Sequence, residues 1–463
     1  MRTPSGAFAD YRARSFWLEQ ATAGYLESPA LEGVVRADIL IIGGGLTGIS
    51  TAYSLKLAEP SLRVVVLESE VTGYGASGRN AGFIAPLVSP SLSLAAARFG
   101  AQRAGEARRY AERACACLVE TIERRRLDCD YEAREYLRVA CTPAQVKRAQ
   151  QEIALARRLG IENIEWLDAG AVRERVDSPT YLGALRESHA GLVNPARLVR
   201  ELRRIAIASG VEIYEHSPAI TLAFDPADSA RVIRAQTPRG AVEADRCALA
   251  TNAYSAQFPA LRARQCPLHT YAVLTEPLTP AQLDSLGWRQ RQALSDMRML
   301  PHYYRLTADN RLLAAGGARY FTGNQVAVNH DARAFEDLAI FIDQTFPSLR
   351  GIAIAQRWSW IMSATADLAP ALGVLGTDQR VVYSLGNLEH NAALSYLNGR
   401  ALSDLLLERK TDLTDVFFVK RATIPLPPEP ARSPLVNSVL SLLRARDALD
   451  ERQGLGNSAI RRA

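Results

Sequence analysis

With 463 residues, 48% of them hydrophobic and 22% charged, the chain is too long for one ordinary domain and too apolar for wholesale disorder. The net charge of +6 is carried almost wholly by arginine, the lysines being Lys56, Lys147, Lys410 and Lys420, and the arginines are scattered or lie on helix-like stretches such as 103–126 without interleaved aromatics, which argues against nucleic acid as a partner. Six cysteines (115, 117, 129, 141, 247 and 266) form no CxxC pair or Cys/His cluster, the opening MRTPSGAFADYRARSFW lacks a signal-peptide core, and no run is long enough to span a bilayer, so the expectation is a soluble cytoplasmic protein with free thiols, no metal site and no stable membrane insertion.

In chain order, ADILIIGGG (37–45) is a short apolar β-branched run ending in glycines, the pattern of a parallel strand buried on both faces. LTGISTAYSLKLAE follows with helical spacing at Leu46, Ile49, Ala52, Tyr53 and Leu57, and Pro60 lies just beyond it. RVVVLE (63–68) completes a right-handed strand–helix–strand unit. The stretch 91–180 reads as mostly helical, with one strand at YLRVACT (136–142). NPARLVRELRRIAIASGVEIYE predicts a helix and a strand, and residues 222–249 predict β-hairpins. Residues 266–360 predict strands (HTYAVLTE, HYYRLT, RLLAAGG) around a small helical insert. RVVYSLG and NAALSYLNGRALSDLLLE read as a last strand and helix returning to the first unit. PLPPEP (425–430) closes the fold, and a short helix over VNSVLSLLRARDALDE trails it, with Val436, Val439, Leu440 and Leu443 as a modest stripe for packing on the protein or on a second copy in a homodimer.

Gly43-x-Gly45-x-x-Gly48 falls between the first strand and helix, where a dinucleotide fold needs it. The first glycine permits a tight turn, the second lets the backbone approach a pyrophosphate, and the third allows close helix–strand packing. The helix N-terminus then faces the phosphates. Glu68, at the end of the second strand, is spaced to hold a ribose hydroxyl pair. A second glycine-rich stretch, GYGASGRNAGF (73–83), follows a few residues later. An NAD site does not demand it, whereas FAD has a ribityl chain and a flavin ring to be wrapped. Its backbone amides, Ser77 on the pyrophosphate and Arg79–Asn80 near the flavin would serve.

The chain resembles the flavin amine oxidases of the D-amino-acid oxidase superfamily, near glycine oxidase and sarcosine oxidase, and most of all the branch of gamma-glutamylputrescine oxidoreductases. The likeness rests on GASGRNAG (75–82), LRVACTPAQ (137–145), GLVNPARLV (191–199), LTEPL (274–278), YYRLTADNRLL (303–313) and LPPEP (426–430), and covers nearly the whole chain. It implies an α/β fold, α+β overall, in which a Rossmann-type FAD-binding domain (37–90, 190–265 and 366–430) interleaves with a β-rich substrate domain (91–189 and 266–365). An N-terminal arm (1–36) and a C-terminal helical tail (431–463) flank them. A C-terminal flavin motif of this family is matched by Gly386-Asn-Leu-Glu-His390-Asn-Ala-Ala393, with a helix starting near Asn391 aimed at the flavin. Glu389 and Asn391 stand where relatives commonly have glycine, and Trp360 stands where a W-S-G pattern would put one.

The FAD contacts this implies are Gly43, Gly45, Leu46, Thr47, Gly48, Glu68, Ser69, Gly75, Ala76, Ser77, Gly78, Arg79, Asn80, Ala81, Gly82, Ala219, Thr251, Asn252, Gly386, His390, Asn391 and Ala392. Attachment is expected to be non-covalent, because no cysteine follows Cys266 and SGRNAG holds neither His nor Cys. For the substrate, His302, Tyr303, Tyr304 and Arg305 alternate on a predicted strand. The superfamily holds a substrate carboxylate near this region with an arginine and tyrosines. Arg305 is the expected anchor, with Tyr304, His302 and His390 as further catalytic candidates. The implied chemistry is hydride transfer from an amine-bearing carbon to FAD, an imine hydrolysed by water, and reoxidation by oxygen or an electron carrier. A NAD(P)H-dependent flavin monooxygenase, or a catalytically degenerate FAD-binding subunit, are the alternatives.

Overall fold

The computed structural model describes residues 15–224, 232–323, 331–376, 378–388 and 392–460. The strand Gly33–Ile42 is central to the first sheet. It pairs in parallel with Val64–Leu67 on one side and Gly240–Leu249 on the other, with Ile42 opposite both Leu67 and Leu249. Glu212–Tyr214 lies beyond Val64–Leu67. Val381–Leu385 runs parallel to Gly240–Leu249, and antiparallel Ala371–Leu375 forms the edge. The hairpin strands Thr221–Ala223 and Ile233–Gln236 hang from Gly240–Leu249. A strand apolar on successive residues has to be covered on both faces. One face packs Ile39, Ile41, Val64 and Val66 against helices Leu46–Ala58, Ala101–Arg125, Pro195–Ala208 and Ala392–Leu406. The other buries Leu40, Ile42, Val65 and Leu67 with Val242 and Leu249.

The second sheet runs Ile354–Ala364, Cys266–Thr275, Leu312–Arg319, Tyr303–Leu306, Ala293–Asp296, Glu132–Ala140, Gly183–Leu192 and Phe83–Ile84, with Ile164–Asp168 beside Gly183–Leu192. Alternation along its strands sorts side chains between two cores. Tyr271, Val273, Tyr304 and Ala314 face the helix Ala332–Thr345 with its Phe335 and Phe341. Tyr136, Tyr303, Ala315, Trp358 and Trp360 face the other way, onto Ala81, Phe83 and the helix Phe16–Gln20. The chain passes back and forth between the sheets. Phe83–Ile84, inside the stretch expected in the cofactor domain, pairs with the second sheet.

Two elements differ from the sequence expectation. The stretch read as mostly helical with one strand holds two, Glu132–Ala140 and Ile164–Asp168, and an unexpected third, Gly183–Leu192, follows it. The last of these runs through Arg186-Glu-Ser-His189, a polar string with no strand signature. It is tolerated because Glu187, fully buried, accepts from Arg108 at 2.5 Å and from Arg138 at 3.4 Å. The tail is one long helix, Arg432–Ile460. Leu440 is buried and Val436 packs beside it, Val439 is exposed, and Asp447 accepts from the amides of Met299 at 2.7 Å and Leu300 at 3.2 Å. Among the described residues no helix is long and apolar enough to cross a membrane, and no group of His, Cys, Asp and Glu is placed to hold a metal ion.

Candidate cofactor site

The turn after the first strand is built for absent side chains. Gly43 has φ +112, and a Cβ there would lie 2.6 Å from the Ala250 carbonyl oxygen. A Cβ at Gly48 would lie 1.9 Å from the Gly43 carbonyl oxygen, so the helix Leu46–Ala58 starts in direct backbone contact with the turn. Gly45, the residue capping this helix, brings no side-chain cap of its own. Ser77 reaches in from the second glycine stretch instead, its Oγ accepting from the Leu46 amide at 2.9 Å. A Cβ at Gly45 would meet that oxygen at 2.9 Å. The following first-turn amides, Thr47 and Gly48, have no intrahelical acceptor and form an anion-ready end.

Glu68 closes the second strand. Its Oε2 accepts from the Gly44 amide at 2.7 Å, and its Oε1 from the Glu70 amide at 3.0 Å and Ser69 Oγ at 3.1 Å. Burial raises its pKa against those lowering hydrogen bonds. A carboxylate has about four acceptor positions, so these three donors leave room for a ribose hydroxyl. The segment carrying Ala219 runs alongside, with the Ser217 amide donating to the Glu68 carbonyl at 2.8 Å.

The second glycine stretch folds back on itself. Asn80 Oδ1 accepts from the Gly82 amide at 2.8 Å while its Nδ2 donates to the Ala76 carbonyl at 3.0 Å. Arg79, 1% exposed, donates from Nε to the Tyr74 carbonyl at 2.6 Å and stacks over the Tyr74 ring. Gly75, Ala76, Gly78 and Ala81 form the bend around them. A Cβ at Gly78 would sit 2.3 Å from the Gly73 carbonyl oxygen, and one at Gly82 (φ +74) 2.2 Å from that of Val193. The two polar side chains expected near the flavin thus brace the loop, leaving its backbone to face a ligand. Trp358, a residue with no expected role, ties the second sheet to this loop by donating from Nε1 to the Arg79 carbonyl at 2.8 Å.

Two further segments converge on the turn. Asn252 (φ +45) accepts from the Ser363 amide at 3.1 Å and donates to the Ile361 carbonyl at 3.3 Å, and Thr251 bonds Ser255. Gly386 (φ +75) donates its amide to Ser363 Oγ at 3.1 Å. Asn387 comes within 3.5 Å of Thr47 Oγ1 and accepts at 3.0 Å from Asn398, which in turn accepts from the Tyr110 hydroxyl at 3.0 Å. Ala392 is buried at the start of its helix. Glu389, His390 and Asn391 lie outside the described residues.

The three described substrate-side candidates do not gather in one place. Tyr304 and His302 point toward the helix Ala332–Thr345. Tyr304 bonds the Tyr181 hydroxyl at 2.8 Å, and His302 stacks on Phe341 while its Nδ1 meets Asp296 at 2.9 Å. Burial pushes Asp296 up, but Arg298 and His302 outweigh it and hold its pKa down to about 2. Arg305 points the opposite way, toward the glycine loop. Its Nη1 donates to the carbonyls of Val193 at 2.7 Å, Gly82 at 3.3 Å and Ala81 at 3.4 Å, and its guanidinium lies 5.3 Å from the Trp17 ring. Burial lowers its pKa to about 10.

Comparison with known proteins bears on the fold and the cofactor. Residues 38–405 match the family model described as FAD dependent oxidoreductase. Gamma-glutamylputrescine oxidoreductase of Escherichia coli strain K12 is 32% identical over 386 residues, covering 82% of this chain and 86% of that one. Glycine oxidase of Bacillus licheniformis is 23% identical over 399 residues, covering 83% and 98%. The crystal structure of glycine oxidase from Geobacillus kaustophilus superposes with a TM-score of 0.68 at 21% identity, covering 81% of this chain and 96% of that one.

Proposed function

The chain belongs to the family of FAD-dependent oxidoreductases, and from that premise we propose that it oxidises the carbon–nitrogen bond of a small amine of the kind its relatives' names describe. FAD, when bound, would supply a two-electron acceptor for a hydride from the amine-bearing carbon and would pass the electron pair on to oxygen, the imine left behind being hydrolysed by water. The Thr47 and Gly48 amides at the helix start, with Ser77 beside them, would hold the pyrophosphate, and Glu68 would accept from the ribose. Trp358, Trp360 and Tyr303, buried in one cluster with Ala81 and Phe83, form a wall that excludes water behind the glycine loop.

The supporting observation is the direct seating of the aromatic sheet face on the glycine loop through Trp358 Nε1 and the Arg79 carbonyl, which brings the cofactor loop and the substrate sheet together. Arg305 is engaged with three carbonyls on the same side, so an amine without a carboxylate beside the reacting carbon fits this wall better than an α-amino acid.

Anaerobic titration of the purified yellow protein with diamines, their acylated derivatives, glycine and sarcosine tests the reading. At least one amine should bleach the flavin, and air should restore it. Bleaching by NADPH with none by any amine would overturn it in favour of a monooxygenase.

A further inference from the structure

The family match begins at residue 38, yet residues 15–28 are folded onto the glycine loop at its start, middle and end. At the start, Glu215 is fully buried and accepts from the Thr72 amide at 2.6 Å. The arm completes this carboxylate's shell: the Ser28 amide donates at 2.7 Å, and the Tyr25 hydroxyl donates to the same Oε1 as Thr72. Tyr25 also lies 3.8 Å from the Arg200 guanidinium, and Arg203 reaches Glu215 at 3.6 Å. At the middle, Ser15 Oγ donates to the Gly78 carbonyl at 3.3 Å, and Leu18 packs where a Cβ on Gly78 would come within 3.0 Å of it. At the end, Trp17, 3% exposed, lies against Arg305, whose Nη1 holds the Ala81 and Gly82 carbonyls.

A loop of glycines loses much backbone entropy when ordered, and whatever orders it beforehand relieves the ligand of that cost. We propose that the arm, through Trp17 and Tyr25, is a positioning element for the FAD loop: arm docking and FAD binding favour the same loop shape and therefore strengthen each other. The proposal rests on FAD being the ligand of this loop. Thermodynamic reciprocity sharpens it, since the factor by which the docked arm tightens FAD must equal the factor by which FAD holds the arm down.

The test uses the full-length apoprotein. FAD is titrated against wild type, Tyr25→Phe and Trp17→Ala by quenching of flavin fluorescence. In parallel, a protease specific for glutamate cuts the exposed Glu19 and Glu27 with and without FAD, the products being read by mass. Tyr25→Phe keeps the ring over Arg200, so it carries the test even if Trp17→Ala fails to fold. The expected result is an FAD dissociation constant raised about tenfold in the variants, with FAD slowing arm cleavage in wild type by a matching factor. A purely structural arm would lower the melting temperature of the apoprotein and leave both numbers unchanged. Affinities within about twofold of wild type, with FAD-independent cleavage, would overturn the proposal. A wild type that takes up no FAD at all would overturn the premise instead, and the two failures are told apart in the first titration.

Discussion

Gly45→Val separates binding from folding. The backbone at Gly45 is extended, with φ −84 and ψ −178, so a β-branched residue adopts it without strain. The new Cβ meets one partner, Ser77 Oγ at 2.9 Å, and displaces it from the Leu46 amide. Losing that hydrogen bond costs the fold about 1 kcal/mol. The valine methyls also fill the approach to the helix end. If they deny the pyrophosphate two charge-assisted hydrogen bonds at about 1.5–3 kcal/mol each, FAD affinity falls by about 10²- to 10⁴-fold. Gly48→Ala makes the contrast, because its Cβ would lie 1.9 Å from the Gly43 carbonyl oxygen and backbone cannot yield as a serine can. Thermal unfolding of the apoprotein and FAD titration should show a near-normal melt with lost binding for Gly45→Val, and little folded protein for Gly48→Ala. A Gly45→Val variant binding FAD within about tenfold of wild type would refute the placing of the phosphates at this turn.

Acid precipitation of the holoprotein should release the yellow colour to the supernatant. The last cysteine, Cys266, is a buried thiol whose pKa burial pushes up to about 12, and colour left in the pellet would mean covalent attachment elsewhere. Asp296→Asn should destabilise the fold by about 2 kcal/mol near neutrality. Because the folded pKa of Asp296 is depressed from 3.8 to about 2, wild type should hold this advantage above pH 3.8 and lose it as the pH falls through about 2, a difference read from acid unfolding of both proteins. Arg305→Ala should lower the melting temperature and weaken FAD retention together, since the Val193 and Ala81 carbonyls lose their donor at about 1–3 kcal/mol for each one left unpaired, while the Gly82 carbonyl keeps the Val193 amide. A raised KM with an unchanged melt would instead assign Arg305 to the substrate.

The strand–turn–helix at the first glycines was legible because it is local: the apolar run, the glycine spacing and Glu68 lie within about thirty residues, the span of one such unit. The alternation of residues 302–305 was legible for the same reason, yet His302, Tyr304 and Arg305 read as one site, whereas the first two face the helix of Phe341 and Arg305 faces the glycine loop. Which face meets what was not, since the helix covering Tyr304 comes from residues 332–345. Arg79 and Asn80 read as ligand contacts because polar residues in a glycine loop usually point outward. Their use as braces depends on Tyr74 and on the strand carrying Ser359. The strand Gly183–Leu192 was not legible because its buried Glu187 is neutralised by Arg108 and Arg138 and its Arg186 by Glu135 and Glu165, residues outside the strand. The seating of Tyr25 on Glu215 joins residues 190 apart, a contact that no periodicity encodes.

The strand order of the first sheet also sets a timetable for the ribosome. Cys247, Ala248 and Leu249 take their partners Val381, Val382 and Tyr383 only after the whole second half of the other sheet has been made. At about 5–20 residues per second that wait is on the order of ten seconds. For that time the nascent chain carries the apolar end of this strand, Cys247–Leu249, with its outer edge bare beyond the part that Ile233–Gln236 covers, next to the unfinished turn that FAD needs. Conditions that slow elongation between Leu249 and Val381 should therefore lower the soluble yield of this protein more than slowing elsewhere, because the bare edge is the surface on which nascent chains pair with one another.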